Sequence, residues 1–351
     1  MRLKKIKKLI QEKNADAYIV LNNSDIRYFS GVVSSNVALV ITGEKDYILS
    51  DARYKFVIER QNKFIPVVIN KALLSAVSDI VKENGIKKVL MDDSHISLAD
   101  FKKFETESEC EFIFERNITR SLRIIKTPEE TECIKKAQKI AEKALSEVLK
   151  SIKEGITSKE IAAELDYKMA LYGSEEPAFE TIVATGADSA DCHAVPNGNK
   201  VKKGDFILFD FGATVNGYRS DMTRTAAFGE VSDEQKKIYN IVLEAHLEAM
   251  KNVKPGMKCS QIDKIARDII KNNGYEKDFL HSLGHGVGID IHEEPRLSEK
   301  SSDVLESGMV VTVEPGIYLE NKFGVRIEDT VIVTENGYES VADFPKNLII
   351  L

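Results

Sequence analysis

At 351 residues, 43% hydrophobic and 30% charged, the chain is long enough for two domains and has the composition of an ordinary soluble globular protein. A net charge of −7 offers no footing for nucleic acid or an anionic membrane surface, and no apolar run approaches the ~20 residues of a membrane helix. The N-terminal MRLKKIKKLIQEKN lacks the apolar core and cleavage site of a secretory signal, and the four cysteines show no CxxC spacing, so free thiols in a reducing cytoplasm are expected.

Residues 1–118 alternate short apolar runs with helical patterns. Strands are predicted at 17–21, 37–42, 47–50, 65–69 and 88–92, and helices at 3–13, 52–61, 72–84 and 98–106. This alternation predicts a small α/β domain, and no chemistry-bearing motif stands out in it. His95 lies in a polar, turn-like stretch and reads as a surface residue. The polar residues 119–126 read as a linker to a second domain at 127–351.

That domain opens with a marked helix start. Thr127 suits the N-cap, Pro128 the first helical position, and Glu130 completes a capping box for a helix to about 153. Thr157 and Glu160 repeat the signal for a helix ending near Gly173. Two more helices are predicted at 232–252 and 260–273, the second stopped by Gly274. His246 falls inside the first of them, where a surface or packing histidine is expected. The stretches 206–225, 281–295, 309–319 and 323–334 lack helical periodicity and favour sheet, so the second domain reads as a strand-rich α+β unit covered by helices.

Within the sheet, FDFGATVNGYRSDMTRT (209–225) carries a hairpin signal in Asn216-Gly217, because a type I′ turn needs positive φ at both central residues. A two-residue loop would set Val215 opposite Tyr218 and Asp210 opposite Thr223, so Asp210, Asp221 and Thr223 would share one face. Two carboxylates on adjoining strands repel each other unless a cation lies between them or one keeps a proton. The order acid-x-Gly, turn, acid-x-Thr recurs as Glu314, Gly316, Glu328 and Thr330, which reads as an internal duplication. Two such hairpins facing each other would gather four carboxylates, a charge that two divalent cations match. Oxygen-rich ligation suits Mn²⁺, with Co²⁺, Fe²⁺ and Zn²⁺ as competitors, and His281, His285 and His292 offer a nitrogen ligand between the hairpins.

The segments FDFGA, YRSDMTRT, GHGVGIDIHEEPRLS, TVEPGIY and GVRIEDT resemble those of metallopeptidase family M24, the pita-bread fold. DIRYFSG and LSDARY in the first domain are similar to the creatinase-like N-terminal domain of its proline-specific branch. The resemblance implies metal ligands at Asp210, Asp221, His285, Glu314 and Glu328, with Thr223 supporting them from behind. It further implies Glu314, His193 and His292 as catalytic groups, and His281, Arg326 and Tyr318 as substrate-binding ones. Asp191-Cys192 departs from the apolar-Pro pair usual before the first of these histidines, which would alter the pocket there.

The function so implied is a dinuclear-metal hydrolase that cuts the peptide bond before proline. The substrate is a peptide with proline second, preferably an Xaa-Pro dipeptide, and the assembly a homodimer. An Xaa-Pro aminopeptidase acting on longer peptides is the alternative within the enzymes. A non-catalytic pita-bread module binding peptides or proteins is the alternative outside them.

Overall fold

The computed structural model describes residues 2–351, which divide into two compact units, one running to Arg123 and the other spanning Ile124–Leu351. The first unit is built on six strands: β1 (Ala17–Val20), β2 (Val37–Thr42), β3 (Asp46–Asp51), β4 (Ile65–Ile69), β5 (Lys88–Met91) and β6 (Glu111–Phe114). They form one mixed sheet in the order β4-β3-β2-β1-β5-β6, antiparallel only where β2 meets β1 and β3. Ala17, Ile19, Val40, Leu49, Val89 and Met91 pack against Val77 and Val81 of the helix Leu73–Glu83 and against Phe104.

Three features depart from the expected pattern. The helix Asn23–Ser30 was not anticipated; it has only eight residues, held by the Asn22 side chain accepting from the Ser24 N–H at 2.9 Å and by Gly31 at φ 76°. β6 is a four-residue run too short to separate from loop by periodicity. The helix predicted at 52–61 is a 3₁₀ turn, Ala52–Tyr54, followed by Lys55–Glu59. His95 is exposed, its Nε2 3.1 Å from Asn22 Nδ2. The polar stretch 119–126 is not loose chain: it holds the helix Arg120–Arg123 with Leu122 buried, and its last residues belong to the second unit.

The second unit contains two sheets. One joins β7 (Ile182–Thr185), β8 (Phe206–Phe211), β11 (Met222–Ala227) and β19 (Ile349–Ile350) in the order β19-β11-β8-β7. The other joins β12 (Gly284–Gly286), β13 (Glu293–Leu297), β14 (Val310–Val313), β17 (Asp329–Val333) and β18 (Tyr338–Ser340) in the order β13-β12-β14-β17-β18. Two ribbons complete it: β9 (Thr214–Val215) with β10 (Tyr218–Arg219), and β15 (Gly316–Leu319) with β16 (Phe323–Arg326).

Each sheet has its own pair of helices. Ala137, Ala141, Leu145, Ile161 and Leu165 of Pro128–Ser151 and Ser158–Leu171 cover Ile207, Phe209 and Phe211 of the first. Ile238, Val242, Ala245, Ile262 and Ala266 of Asp233–Lys251 and Cys259–Asn272 cover Val311, Val313 and Val331 of the second. The capping boxes at Thr127 and Thr157 form as expected. The fold is therefore the expected α+β arrangement, a smaller α/β unit followed along the chain by a doubled sheet-and-helix unit. No helix among the described residues is long and apolar enough to cross a membrane.

Candidate metal centre

The first hairpin folds in the expected register. Asn216 and Gly217 take φ 48° and 81°, Val215 faces Tyr218, and Asp210 faces Thr223. The Glu175 carboxylate caps the turn by accepting from the Asn216 N–H at 2.8 Å. The second hairpin repeats the residue order but not the turn: Leu319 pairs with Phe323, leaving a three-residue loop at 320–322. Its acids fall in the gaps between ribbon and sheet, Glu314 just after β14 and Glu328 just before β17. β12, paired to β14 at Gly286 and Val311, carries His285 to the same place.

Asp210, Asp221, His285, Glu314 and Glu328 line one cavity of about 390 Å³, together with His193, His281, His292 and Arg326. One ligand atom each from Asp221, His285 and Glu328 lie within 4.8 Å of one another. His285 Nε2 is 3.6 Å from Asp221 Oδ2 and 3.4 Å from Glu314 Oε1, while its Nδ1 lies 3.0 Å from the Gly286 carbonyl. That carbonyl holds the Nδ1 proton, so Nε2 presents a lone pair to the carboxylates. Burial pushes the His285 pKa down to about 4, so the ring is neutral near pH 7.

Proton-free donors converging in this way repel one another, and the acids carry the cost. Burial first, then Glu328, Asp210 and Glu314, raises Asp221 well above the ordinary carboxylate range. Glu328 is raised by burial and then by Glu314 and Asp210; burial lifts Glu314 to about 8 against the opposing pull of Arg326. Asp210 Oδ1 and Glu328 Oε1 are buried with no hydrogen-bond partner among the described residues. Orphaned carboxylate oxygens beside an imidazole lone pair fit a divalent cation, the ligand such groups otherwise lack.

Behind the acids lies a second set of bonds. Thr223 Oγ1 donates to Glu328 Oε2 at 2.6 Å and accepts from Arg326 Nε at 2.9 Å. Arg326 also contacts Asp210 Oδ2 closely through Nη2 and donates from Nη1 to the Tyr318 hydroxyl at 2.7 Å. That hydroxyl lies 2.8 Å from His281 Nε2. Tyr318, expected among the substrate-binding residues, is buried and does not line the cavity; Arg326 and His281 hold its hydroxyl. His246 is a packing histidine, wholly buried with Nδ1 3.0 Å from the Val313 carbonyl.

His193 is exposed, its N–H donating to Asp191 Oδ1 at 3.0 Å, and Cys192 faces the cavity. The departure from the usual pair thus gives an Asx turn and a thiol at the pocket wall. One residue escaped sequence reasoning: Arg296, exposed at the cavity, stands directly across the β12–β13 ladder from His285. Only the strand register, which shifts between His285 and Gly286, brings the two together. Arg296 has no hydrogen-bond or ion-pair partner among the described residues.

The pattern of the Creatinase/Prolidase N-terminal domain matches residues 2–125, and that of metallopeptidase family M24 matches residues 132–335. The chain belongs to metallopeptidase family M24. It is a metallopeptidase whose family implies a divalent metal, in agreement with the donor set. The Xaa-Pro dipeptidase of Pyrococcus furiosus is 39% identical over 99% of both chains. The structure of an Xaa-Pro dipeptidase from Bacillus anthracis superposes with a TM-score of 0.96 at 37% identity, covering 100% of this chain and 99% of that one. An X-Pro aminopeptidase from Thermotoga maritima superposes with a TM-score of 0.93 at 35% identity, covering both chains fully at 100%.

Proposed function

We propose that this M24 enzyme is an Xaa-Pro dipeptidase holding two divalent ions, Mn²⁺ foremost, on Asp210, Asp221, His285, Glu314 and Glu328. Bound there, the metals supply Lewis acidity and lower the pKa of water at the site. Glu314 keeps one carboxylate oxygen for the proton. Its Oε1 accepts from Thr312 Oγ1 at 3.1 Å, so Oε2 is the atom that takes a proton from water and passes it to the leaving proline nitrogen. His193 and His292 point N–H donors at the developing oxyanion. His292 suits this as a neutral ring, since partial burial and then Arg296 lower its pKa. His281 borders the substrate, while Arg326 and Tyr318 hold Asp210 and His281 in place.

The observation that supports a dipeptidase over an aminopeptidase is Arg296. It is a cation without a partner among the described residues, at the wall of an acid-lined cavity, suited to the free carboxylate of a C-terminal proline. Assaying the metal-loaded enzyme on Ala-Pro beside Ala-Pro-Ala tests this. The expected result is a higher kcat/KM for Ala-Pro, with Arg296→Met raising the dipeptide KM and leaving the tripeptide KM unchanged. Faster cleavage of Ala-Pro-Ala, untouched by Arg296→Met, would favour the aminopeptidase reading. The expected homodimer and cytoplasmic location rest on the family resemblance and on four free cysteines, and light scattering on the purified protein tests the first.

A further inference from the structure

The imidazole of His292 lines the cavity and makes no hydrogen bond among the described residues; its one close ring partner is His285, edge-on at 4.3 Å between centroids. Its position is therefore set by the backbone of the loop 287–292. That loop is gripped on two sides. Arg219 donates from its own N–H to the Gly288 carbonyl at 2.8 Å and from Nε to the Ile289 carbonyl at 3.0 Å. From the other side Glu293 Oε1 accepts the N–H groups of Ile289 at 3.0 Å and Asp290 at 3.2 Å. The other oxygen, Oε2, meets Lys126 Nζ at 2.9 Å. Both side chains are nearly inaccessible, at 2% and 7% exposure.

Lys126 is itself tied down. It donates its N–H to the Gly308 carbonyl at 2.8 Å and directly precedes Thr127, the N-cap of Pro128–Ser151. The carboxylate also fits closely under the loop, because a Cβ added at Gly288 would lie 2.5 Å from Glu293 Oε2. A buried carboxylate that holds two N–H groups through one oxygen is steadied by a fixed positive charge at the other, and Lys126 stands there.

We infer that Lys126 and Glu293 are a positioning pair that sets His292 over the acids and so governs kcat, an inference that rests on reading His292 as the oxyanion donor. Removing the ammonium takes away the positive charge that Lys126 places against Glu293 Oε2. The carboxylate then turns outward, releases Ile289 and Asp290, and lets the His292 ring drift. Small misplacements of this kind cost rate and leave binding of substrate and metal intact, with losses of about tenfold to a hundredfold.

The test measures kcat, KM and bound metal on Ala-Pro for Lys126→Met, Lys126→Arg, His292→Ala and the double variant Lys126→Met/His292→Ala. Lys126→Met should lower kcat by about tenfold to a hundredfold with KM and metal content unchanged, and Lys126→Arg should recover most of it. In the His292→Ala background Lys126→Met should add no further loss. An equal additional loss there, or a fall in rate that merely tracks metal content, would overturn the pairing. Should Lys126→Met not fold, Gly288→Ala displaces the same carboxylate while keeping both charges; it must show the same kcat loss, and a wild-type kcat would overturn the pairing. A wild-type kcat in His292→Ala alone sinks the reading of His292. A wild-type kcat in Lys126→Met beside an impaired His292→Ala sinks the pairing alone.

Discussion

Thr223 is the smallest residue of the centre and the one through which most of it communicates. Its hydroxyl gives its proton to Glu328 and receives one from Arg326, so a single atom aligns a ligand carboxylate and the guanidinium that holds Asp210. Groups behind metal ligands typically govern affinity by about tenfold to a hundredfold. Thr223→Val keeps the shape and removes the hydroxyl, so it should weaken Mn²⁺ binding by about that factor in calorimetric titration. Unaltered affinity would mean the bond merely fills space. Thr223 was legible in the sequence because the hairpin period places it beside Asp221. Arg296 was not, because nothing local says that β13 lies against β12. The partners of Arg326 were hidden in the same way, since contacts such as Arg326 with Asp210 and Thr223 join segments about a hundred residues apart.

The elements that sequence revealed best are those whose physics is local. Capping boxes at Thr127 and Thr157 and the Asn216-Gly217 turn each involve a few neighbouring residues, and each forms as expected. The helix Asn23–Ser30 has local caps in Asn22 and Gly31 but only eight residues, and β6 only four, too few for periodicity to mark either. The duplication was visible in residue order, yet its two copies differ in turn length, two residues against three. Residue identity was therefore a better guide to the site than exact register.

One contact between elements has a measurable consequence. β16 passes so close to the turn at 186–190 that a Cβ on Gly324 would lie 2.0 Å from the Ser189 carbonyl oxygen, and the Gly324 N–H donates to Ser189 Oγ at 2.9 Å. Gly324→Ala forces the turn and β16 apart. It should cost about 1–3 kcal/mol in urea unfolding and lower kcat, because Arg326 and His193 ride on the displaced segments. Wild-type stability would show that the contact is slack.

At the scale of the whole catalytic unit, each sheet with its helix pair delivers one pair of acids, and a divalent cation held between them would join the two halves. The metal-free protein must instead keep protons there. Glu314 rises from its ordinary 4.5 to about 8, and Asp221 and Glu328 move the same way. A folded-state pKa above the unfolded one adds stability that is complete below 4.5 and is lost as pH climbs toward about 8. A bound cation replaces those protons and removes the loss. Scanning calorimetry with and without chelator should therefore find Tm values that diverge as pH rises through this window, the metal-free protein falling behind. Parallel curves would contradict the electrostatic account.

We propose that this four-carboxylate cradle cleaves the bond before proline, with Glu314 moving the proton. The most direct measurement is Ala-Pro hydrolysis by Glu314→Gln at wild-type metal content. General acid–base groups supply about 10²–10⁴ in rate, so a loss of at least about a hundredfold is expected. Hydrolysis by the metal-loaded variant at the wild-type rate would contradict it.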